Sequence, residues 1–100
     1  MRNYDVFYLP AAEDDLNEIA DYLSEYNTDT ANAFIDKLEK LEKQLSKFPE
    51  SIALVRNKRL RNKGYRMAVI GDYLLFYTMR NERVYVMRII HGKRNYLSIL

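Results

Sequence analysis

The chain contains 100 residues, of which 48% are hydrophobic and 30% are charged, a composition typical of a soluble globular protein with one domain over residues 1–100. The absence of cysteine and the presence of a single histidine exclude a disulfide framework, thiolate chemistry and a metal site built from several histidines. No apolar run approaches the roughly 18 residues that a membrane span needs, and no loop concentrates carboxylates as a hard cation requires. We therefore expect a cytoplasmic protein with no membrane segment, no metal and no cofactor.

The net charge of +2 results from two halves of opposite charge. Residues 1–50 carry twelve acidic and five basic side chains, a balance of −7, whereas residues 51–100 carry two acidic and eleven basic ones, a balance of +9. Such a division predicts a dipolar molecule whose positive surface meets an anionic partner, either nucleic acid or an acidic protein. The alternative is a separation of charge between helices and sheet that serves no specific partner.

The first half of the chain predicts one strand followed by two helices. Residues 4–9 are rich in aromatic and β-branched side chains, and Pro10 ends this run. Apolar residues then recur at steps of three and four from residue 11 to about 26, which predicts an amphipathic helix with an acidic first turn. Asn27 offers a cap for a second helix, which Pro49 ends, and so short a connection predicts a helical hairpin. The second helix has the clearest periodic signal, at Ala31, Phe34, Leu38, Leu41, Leu45 and Phe48.

The second half predicts a β-meander. Residues 64–96 hold three apolar, aromatic-rich runs separated by Gly71-Asp72 and by Asn81-Glu82. Two-residue connections of this kind join antiparallel strands. The whole chain therefore predicts a single α+β domain with an N-terminal strand, a helical hairpin and an antiparallel meander, the helices packed on one face of the sheet. The apolar residues 97–100 are expected to pack back on this domain.

The turn at Gly71-Asp72 sets the register of the meander, because a two-residue loop gives every residue of one strand a defined partner on the other. Arg66 then lies opposite Tyr77, and the second turn places Arg88 opposite Leu75. A slip of one residue in that second turn would move Arg88 to the other face.

This register predicts two different faces of the sheet. One row is almost entirely apolar and is expected to form the core against the helices: Met67, Val69, Leu74 and Phe76. The other row is expected to be the open, working face: Arg66, Tyr73, Tyr77 and Arg88.

A basic run precedes the meander. Within residues 56–63 it contains Arg56, Lys58, Arg59, Arg61 and Lys63. Cations beside aromatic strands can contact the phosphates or carboxylates of a partner. A solvated loop that carries charge for solubility would look the same.

The spacing of glycines, tyrosines and arginines in the meander resembles that of the RelE/ParE superfamily of bacterial type II toxins. The patterns are G-Y-R, G-x-Y-x-x-x-Y and V-x-V-x-R-I-x-H-G-x-R. Residues 14–23 (D-D-L-x-E-I-x-x-Y-L) and Phe48-Pro49 are also similar to that family, so the likeness covers nearly the whole chain. The matching positions in the meander are Gly64, Tyr65, Arg66, Gly71, Tyr73, Tyr77, Val84, Val86, Arg88, Ile89, His91, Gly92 and Arg94.

The resemblance implies a growth-inhibiting toxin of the plasmid-stabilisation type, encoded beside a small acidic antitoxin that neutralises it in a toxin–antitoxin hetero-oligomer. It also implies that the first strand pairs with the last. The candidates for antitoxin contact are Arg56, Lys58, Arg59 and Arg61. The candidates for target contact are Arg66, Tyr73, Tyr77, Arg88 and Arg94.

The superfamily uses two mechanisms. RelE-like members cut mRNA on the ribosome, which requires a base, an acid and cations around the phosphorane; the candidates for those roles are Arg66, Tyr77, His91, Arg94 and Tyr96. ParE-like members poison DNA gyrase by binding it. Three features favour the ParE-like mechanism: the H-G-K-R phrase, Leu74 in place of a middle-strand arginine, and the absence of a lysine pair on the preceding strand. The RelE-like mechanism is the alternative, and a plain nucleic-acid-binding module is the third interpretation.

His91 has two interpretations. Its unperturbed pKa lies near neutrality, which suits a general base. The predicted register places it on the helix-facing side of the sheet, which favours a structural hydrogen bond.

Overall fold

The computed structural model describes residues 3–100, which form a four-stranded sheet and four helices. The strand, helical hairpin and meander are confirmed, while α3 and α4 are two short additional helices. None of the helices in the described residues is long and apolar enough to cross a membrane. In chain order the elements are β1 (Asp5–Tyr8), α1 (Pro10–Tyr26), α2 (Thr28–Lys47), α3 (Lys58–Asn62), β2 (Arg66–Ile70), β3 (Tyr73–Arg80), β4 (Arg83–His91) and α4 (Tyr96–Ile99).

The long helices begin and end where local chemistry dictates. Pro10 occupies the first turn of α1, where a missing N–H costs nothing. The Asn27 side-chain oxygen accepts hydrogen bonds from the backbone N–H groups of Asp29 (2.7 Å) and Thr30 (3.2 Å), so it caps α2 as predicted. The α2 helix ends at Lys47, two residues before Pro49.

The strands lie in the order β1-β4-β3-β2. Both turns of the meander are as predicted: Gly71 has a φ of 57°, and Asn81 and Glu82 have φ values of 51° and 64°, as a tight hairpin turn requires. The predicted register between β2 and β3 is confirmed, with Arg66 opposite Tyr77. The β1 strand pairs in parallel with β4, as the family resemblance implied.

A β-bulge in β4 shifts the register of its second half. Tyr77 lies opposite Val86 and Phe76 opposite Arg88, so Met87 is the extra residue. The prediction that Arg88 faces Leu75 is therefore wrong. The first half of β4 keeps the register that the Asn81-Glu82 turn sets, and the register shift occurs beyond Val86.

The prediction of which sheet face meets the helices is also wrong. The α1 and α2 stripes pack on the row that contains Ala68, Ile70, Leu75 and Tyr77, together with Val84, Val86 and Ile89. The side of the sheet that carries this row is called the helical face below. Val69, which was expected in the core, is 68% exposed.

The opposite side, called the outer face below, has a small core of its own. Val55, Leu60, Phe76 and Ile90 are buried there. The partly buried residues Tyr65, Met67, Leu74, Tyr96, Ile99 and Leu100 pack around them. The C-terminal residues thus return to the domain as predicted, and α3 and α4 cover part of a face that was expected to meet the hairpin.

Candidate functional site

The part of the outer face that α3 and α4 leave uncovered forms a groove of about 590 Å³. We call it the basic groove. It is lined by Leu9, Lys63, Tyr65, Thr78, Arg80, Asn81, Tyr85 and Met87. It lies where β1, β4 and β3 run side by side, so residues distant in sequence line one depression.

Aromatic rings and cations meet beside the basic groove. The rings of Phe7 and Tyr85 are stacked with centroids 5.8 Å apart, because parallel pairing places these residues opposite each other. The Arg83 guanidinium carbon lies 5.5 Å from the centroid of the Phe7 ring, a cation–π contact. Phe7 is nevertheless 41% exposed. This surface offers flat apolar area with positive charge at its margin.

The charges of the molecule are divided between its layers. The α1 and α2 helices carry ten acidic and four basic side chains, a balance of −6. The outer face carries Lys63, Arg80 and Arg83 around the basic groove, and α3 adds Lys58, Arg59 and Arg61 beside it. An anionic partner is therefore attracted to the outer face and repelled by the helical layer.

Two of the predicted site residues, Arg66 and Tyr77, lie on the helical face and hold a loop. Tyr77 is fully buried, and its hydroxyl donates a 2.6 Å hydrogen bond to the Pro49 carbonyl. Burial raises the pKa of Tyr77 to about 12, although the nearby Arg66 charge acts in the opposite direction. The Arg66 guanidinium donates to the carbonyls of Ile52 and, at 3.5 Å, Glu50.

Arg88 forms an ion pair with α1. Its Nε and a terminal guanidinium nitrogen donate to the Asp15 carboxylate at 2.7 and 2.9 Å, and the backbone N–H of Ile89 donates to the same carboxylate at 3.0 Å. The hydrogen bond to Asp15 raises the pKa of Arg88, opposed in part by desolvation. The β1 strand pairs with β4 only as far as Val86. Asp15 thus accepts a hydrogen bond from a backbone N–H of β4 that lies beyond the end of β1.

Tyr73 and His91 are neighbours on the helical face. Their ring centroids lie 5.2 Å apart in an edge-to-face arrangement, and the His91 Nδ1 accepts a hydrogen bond from the backbone N–H of Lys93 at 3.2 Å. The predicted register puts His91 on the row of Met67 and Phe76, away from Arg66 and Tyr77, and this is wrong: His91 pairs with Tyr73 and shares the row of Tyr77. It faces the helices because that row is the one that meets them. Its structural hydrogen bond is present.

The remaining nuclease candidates lie elsewhere. Tyr96 belongs to α4 on the outer face, where its ring centroid is 5.1 Å from that of Phe76. Arg94 is exposed in the turn between β4 and α4. The structure brings Arg66 beside Tyr77 and Tyr73 beside His91, but it places Tyr96 across the sheet from all four.

The four candidates for antitoxin contact lie in or next to α3. Arg59 donates to the carbonyls of Leu97 (2.6 Å) and Leu100 (2.7 Å). Arg61 donates to the carbonyls of Val55 (3.3 Å) and Arg56 (2.9 Å). All four side chains are exposed: Arg56, Lys58, Arg59 and Arg61.

Sequence reasoning missed most of the basic groove. Arg80 and Tyr85 in the groove, and Phe7 and Arg83 beside it, are not among the predicted site residues, although Lys63 is part of the basic run. The available signal was the parallel pairing of the first and last strands, which fixes Phe7 beside Tyr85 once the register is known. Within residues 3–100, no three histidine, cysteine or carboxylate side chains are grouped closely enough to hold a metal ion.

Known proteins share this fold. The structure is similar to the chromosomal ParDE toxin–antitoxin system from P. aeruginosa, with a TM-score of 0.69 and 15% identity over 90% of this chain and 97% of that one. It is also similar to the YoeB dimer from Staphylococcus aureus (TM-score 0.62, 16% identity, 89% and 97% covered). The E. coli DinJ-YafQ toxin–antitoxin complex is comparable (TM-score 0.61, 18% identity, 89% and 92% covered).

At the sequence level, no curated protein matches this chain. The family model for the ParE toxin of the type II toxin–antitoxin system parDE matches residues 6–96. That match includes all four strands except the first residue of β1, and both long helices. The chain belongs to the ParE toxin family of type II toxin–antitoxin systems.

Proposed function

We propose that this protein inhibits bacterial growth by binding its target, DNA gyrase, rather than by cutting RNA. The observation that carries this proposal is the dispersal of the nuclease candidates. Phosphodiester cleavage needs an acid, a base and cations within hydrogen-bond reach of one phosphate. His91 and Tyr96 lie on opposite faces of the sheet, and the Tyr77 hydroxyl is buried against Pro49.

The contacts of the arginines support the same mechanism. Arg66 and Arg88 are occupied by backbone carbonyls and by Asp15, respectively. Of the residues predicted to contact the target, Arg94 and the partly exposed Tyr73 have side chains that a partner can reach. Binding through such a surface requires no convergent catalytic group.

The partner that neutralises the toxin is proposed to be a small acidic antitoxin that covers the outer face. Two of the similar structures are toxin–antitoxin assemblies, ParDE and DinJ-YafQ. The basic groove and the stacked Phe7 and Tyr85 rings beside it offer contacts for apolar side chains, and Lys63, Arg80 and Arg83 offer positive charge for carboxylates. The cations of α3 extend this surface, and part of the antitoxin folds as it binds.

The two mechanisms are separated by assaying the purified protein on both targets. We expect gyrase-dependent breaks in plasmid DNA and no codon-positioned cuts in ribosome-bound mRNA. His91→Gln and Tyr96→Phe should change toxicity only mildly, because neither side chain acts as a proton donor or acceptor in a binding mechanism. Removing a general acid or base lowers a rate by about 10²–10⁴-fold.

The opposite result would establish the RelE-like alternative. Specific cuts in ribosome-bound mRNA that either conservative variant abolishes, with the fold unchanged by circular dichroism, would contradict gyrase binding as the toxic activity.

A further inference from the structure

A second depression lies away from the basic groove, at the corner where α1 ends, α2 begins and β2 turns into β3. It has a volume of about 530 Å³. We call it the corner cleft. It is lined by Tyr22, Leu23, Tyr26, Thr30, Asp72, Tyr73 and His91.

The walls of the corner cleft are mainly aromatic. Tyr22 and Tyr26 lie one helical turn apart on α1 and are 62% and 78% exposed, so the core does not require either ring. Tyr73 and His91 form the opposite side, with their rings edge to face. Several ring faces around one cavity can surround a cation, which is attracted to the negative face of each ring.

The corner cleft has a carboxylate in its wall and adjoins an acidic part of the chain. Residues 18–36, which form the end of α1 and the start of α2, contain five carboxylates and no lysine or arginine. The carboxylate of Asp72 lies in the wall itself. Burial raises the pKa of the Tyr73 phenol, and the nearby Tyr22 and Asp72 raise it further.

Two lysines flank the corner cleft and oppose this field. Lys37 lines a smaller adjoining depression together with Gly71. Lys93 follows His91 and has an exposed side chain. Neither lines the corner cleft, whose own charged wall residue is Asp72.

We propose that the corner cleft binds a cationic side chain, an arginine in particular, presented by a partner protein. A planar guanidinium stacks on tyrosine rings and forms a charge-assisted hydrogen bond to a carboxylate, so it uses both features of the cleft. Exposed tyrosines around a pocket are typical of interaction hot spots on proteins. The molecule then carries two surfaces of opposite preference, since the basic groove accepts an acidic partner.

The test is an NMR titration of the intact protein with N-acetyl-arginine amide, with N-acetyl-citrulline amide as the uncharged probe of the same shape. We expect saturable shifts of the Tyr22, Tyr26, Tyr73 and His91 ring signals with arginine, and affinity at least about threefold lower for citrulline. Tyr22→Leu and Asp72→Asn should each weaken arginine binding by about threefold to tenfold. Tyr85→Leu, in the basic groove, is the control and should leave it unchanged.

A Lys37→Met variant tests whether the corner cleft prefers a cation or an anion. Removing this flanking cation should tighten the binding of arginine. If instead inorganic phosphate shifts the same ring signals and Lys37→Met weakens that effect, the corner cleft is an anion site and the proposal is wrong. Equal affinity for arginine and citrulline, or no shift with either, would also overturn it. These readouts are binding measurements, so they stand apart from the outcome of the gyrase and mRNA assays.

Discussion

Tyr77 shows how one polar atom ties the sheet to a loop that has no regular structure. Its ring is buried between sheet and helices, and its hydroxyl is hydrogen-bonded to the carbonyl of Pro49, which is itself buried. Tyr77→Phe keeps the ring and leaves that carbonyl without its donor. We expect the free energy of unfolding to fall by about 1–3 kcal/mol, measured by urea denaturation.

Tyr26→Phe is the matched control, because Tyr26 is 78% exposed and its substitution should change stability by less than about 0.5 kcal/mol.

The pH dependence of stability gives a second test of the role of Tyr77. The pKa of Tyr77 is raised to about 12 in the folded protein, above the ordinary value of about 10. The contribution of this raised pKa to the free energy of unfolding is complete below pH 10. It is lost as the pH rises from 10 to 12, since only the unfolded chain then releases the tyrosine proton. An alkaline stability loss as steep in Tyr77→Phe as in the parent would contradict this assignment.

Asp15 also makes contacts with residues that are far away along the chain. Its carboxylate accepts from the Arg88 guanidinium and from the Ile89 backbone. Asp15→Ala removes all of these bonds, and because the pair is partly exposed we expect a loss of about 2 kcal/mol rather than the larger value for a fully buried pair. Asp14→Ala, at an exposed neighbouring position, should be nearly neutral by the same thermal or urea measurement. Equal effects of the two substitutions would show that the ion pair contributes nothing specific.

Among the elements, α4 depends on α3. The four residues of α4 are too few to form a helix alone, and Arg59 of α3 holds two of the C-terminal carbonyls. Arg59→Lys keeps the charge but loses the forked geometry. We predict that the amide protons of α4 then exchange at least about tenfold faster, while exchange in the sheet is unchanged.

Lys58→Ala provides the control, because the Lys58 side chain is exposed at the start of the same helix. If hydrogen exchange in α4 is the same in Arg59→Lys as in the parent, Arg59 does not secure α4. Its exposed charge would then be free to serve antitoxin contact alone.

At the scale of the whole molecule, the separation of an acidic layer from a basic face sets how the proposed antitoxin approaches. Attraction between opposite charges speeds association, and salt screens it, the screening length falling from about 10 Å at 0.1 M to about 3 Å at 1 M. We expect the association rate to fall by at least about tenfold between low and high salt in stopped-flow experiments.

Two double variants test which surface of the molecule causes the salt dependence of the association rate. Arg80→Glu with Arg83→Glu should slow association and flatten its salt dependence. Lys40→Glu with Lys43→Glu makes the same change in net charge on the helical layer and should do much less. An association rate indifferent to salt, or equal effects of the two double variants, would exclude the basic groove as the docking surface.

The sequence by itself determined the elements that local chemistry controls. Apolar spacing, Asn27 and the prolines placed α1 and α2, and the two tight turns set the register of β2 on β3, because each signal acts over a few neighbouring residues. The motif spacing was also sufficient to identify the superfamily, which the ParE family match confirms.

Only the tertiary structure decided which face of the sheet meets the helices. Both rows of the meander are apolar enough to form a core, and both do so, one against α1 and α2 and the other against α3 and α4. Alternation along a strand distinguishes two faces but does not say which element covers each. The bulge at Met87 is likewise a property of the paired strands: it places Arg88 opposite Phe76, and the Arg88 side chain pairs with Asp15, 73 positions away. The basic groove and the corner cleft depend on such long-range pairings, which is why their residues could not be assembled from spacing alone.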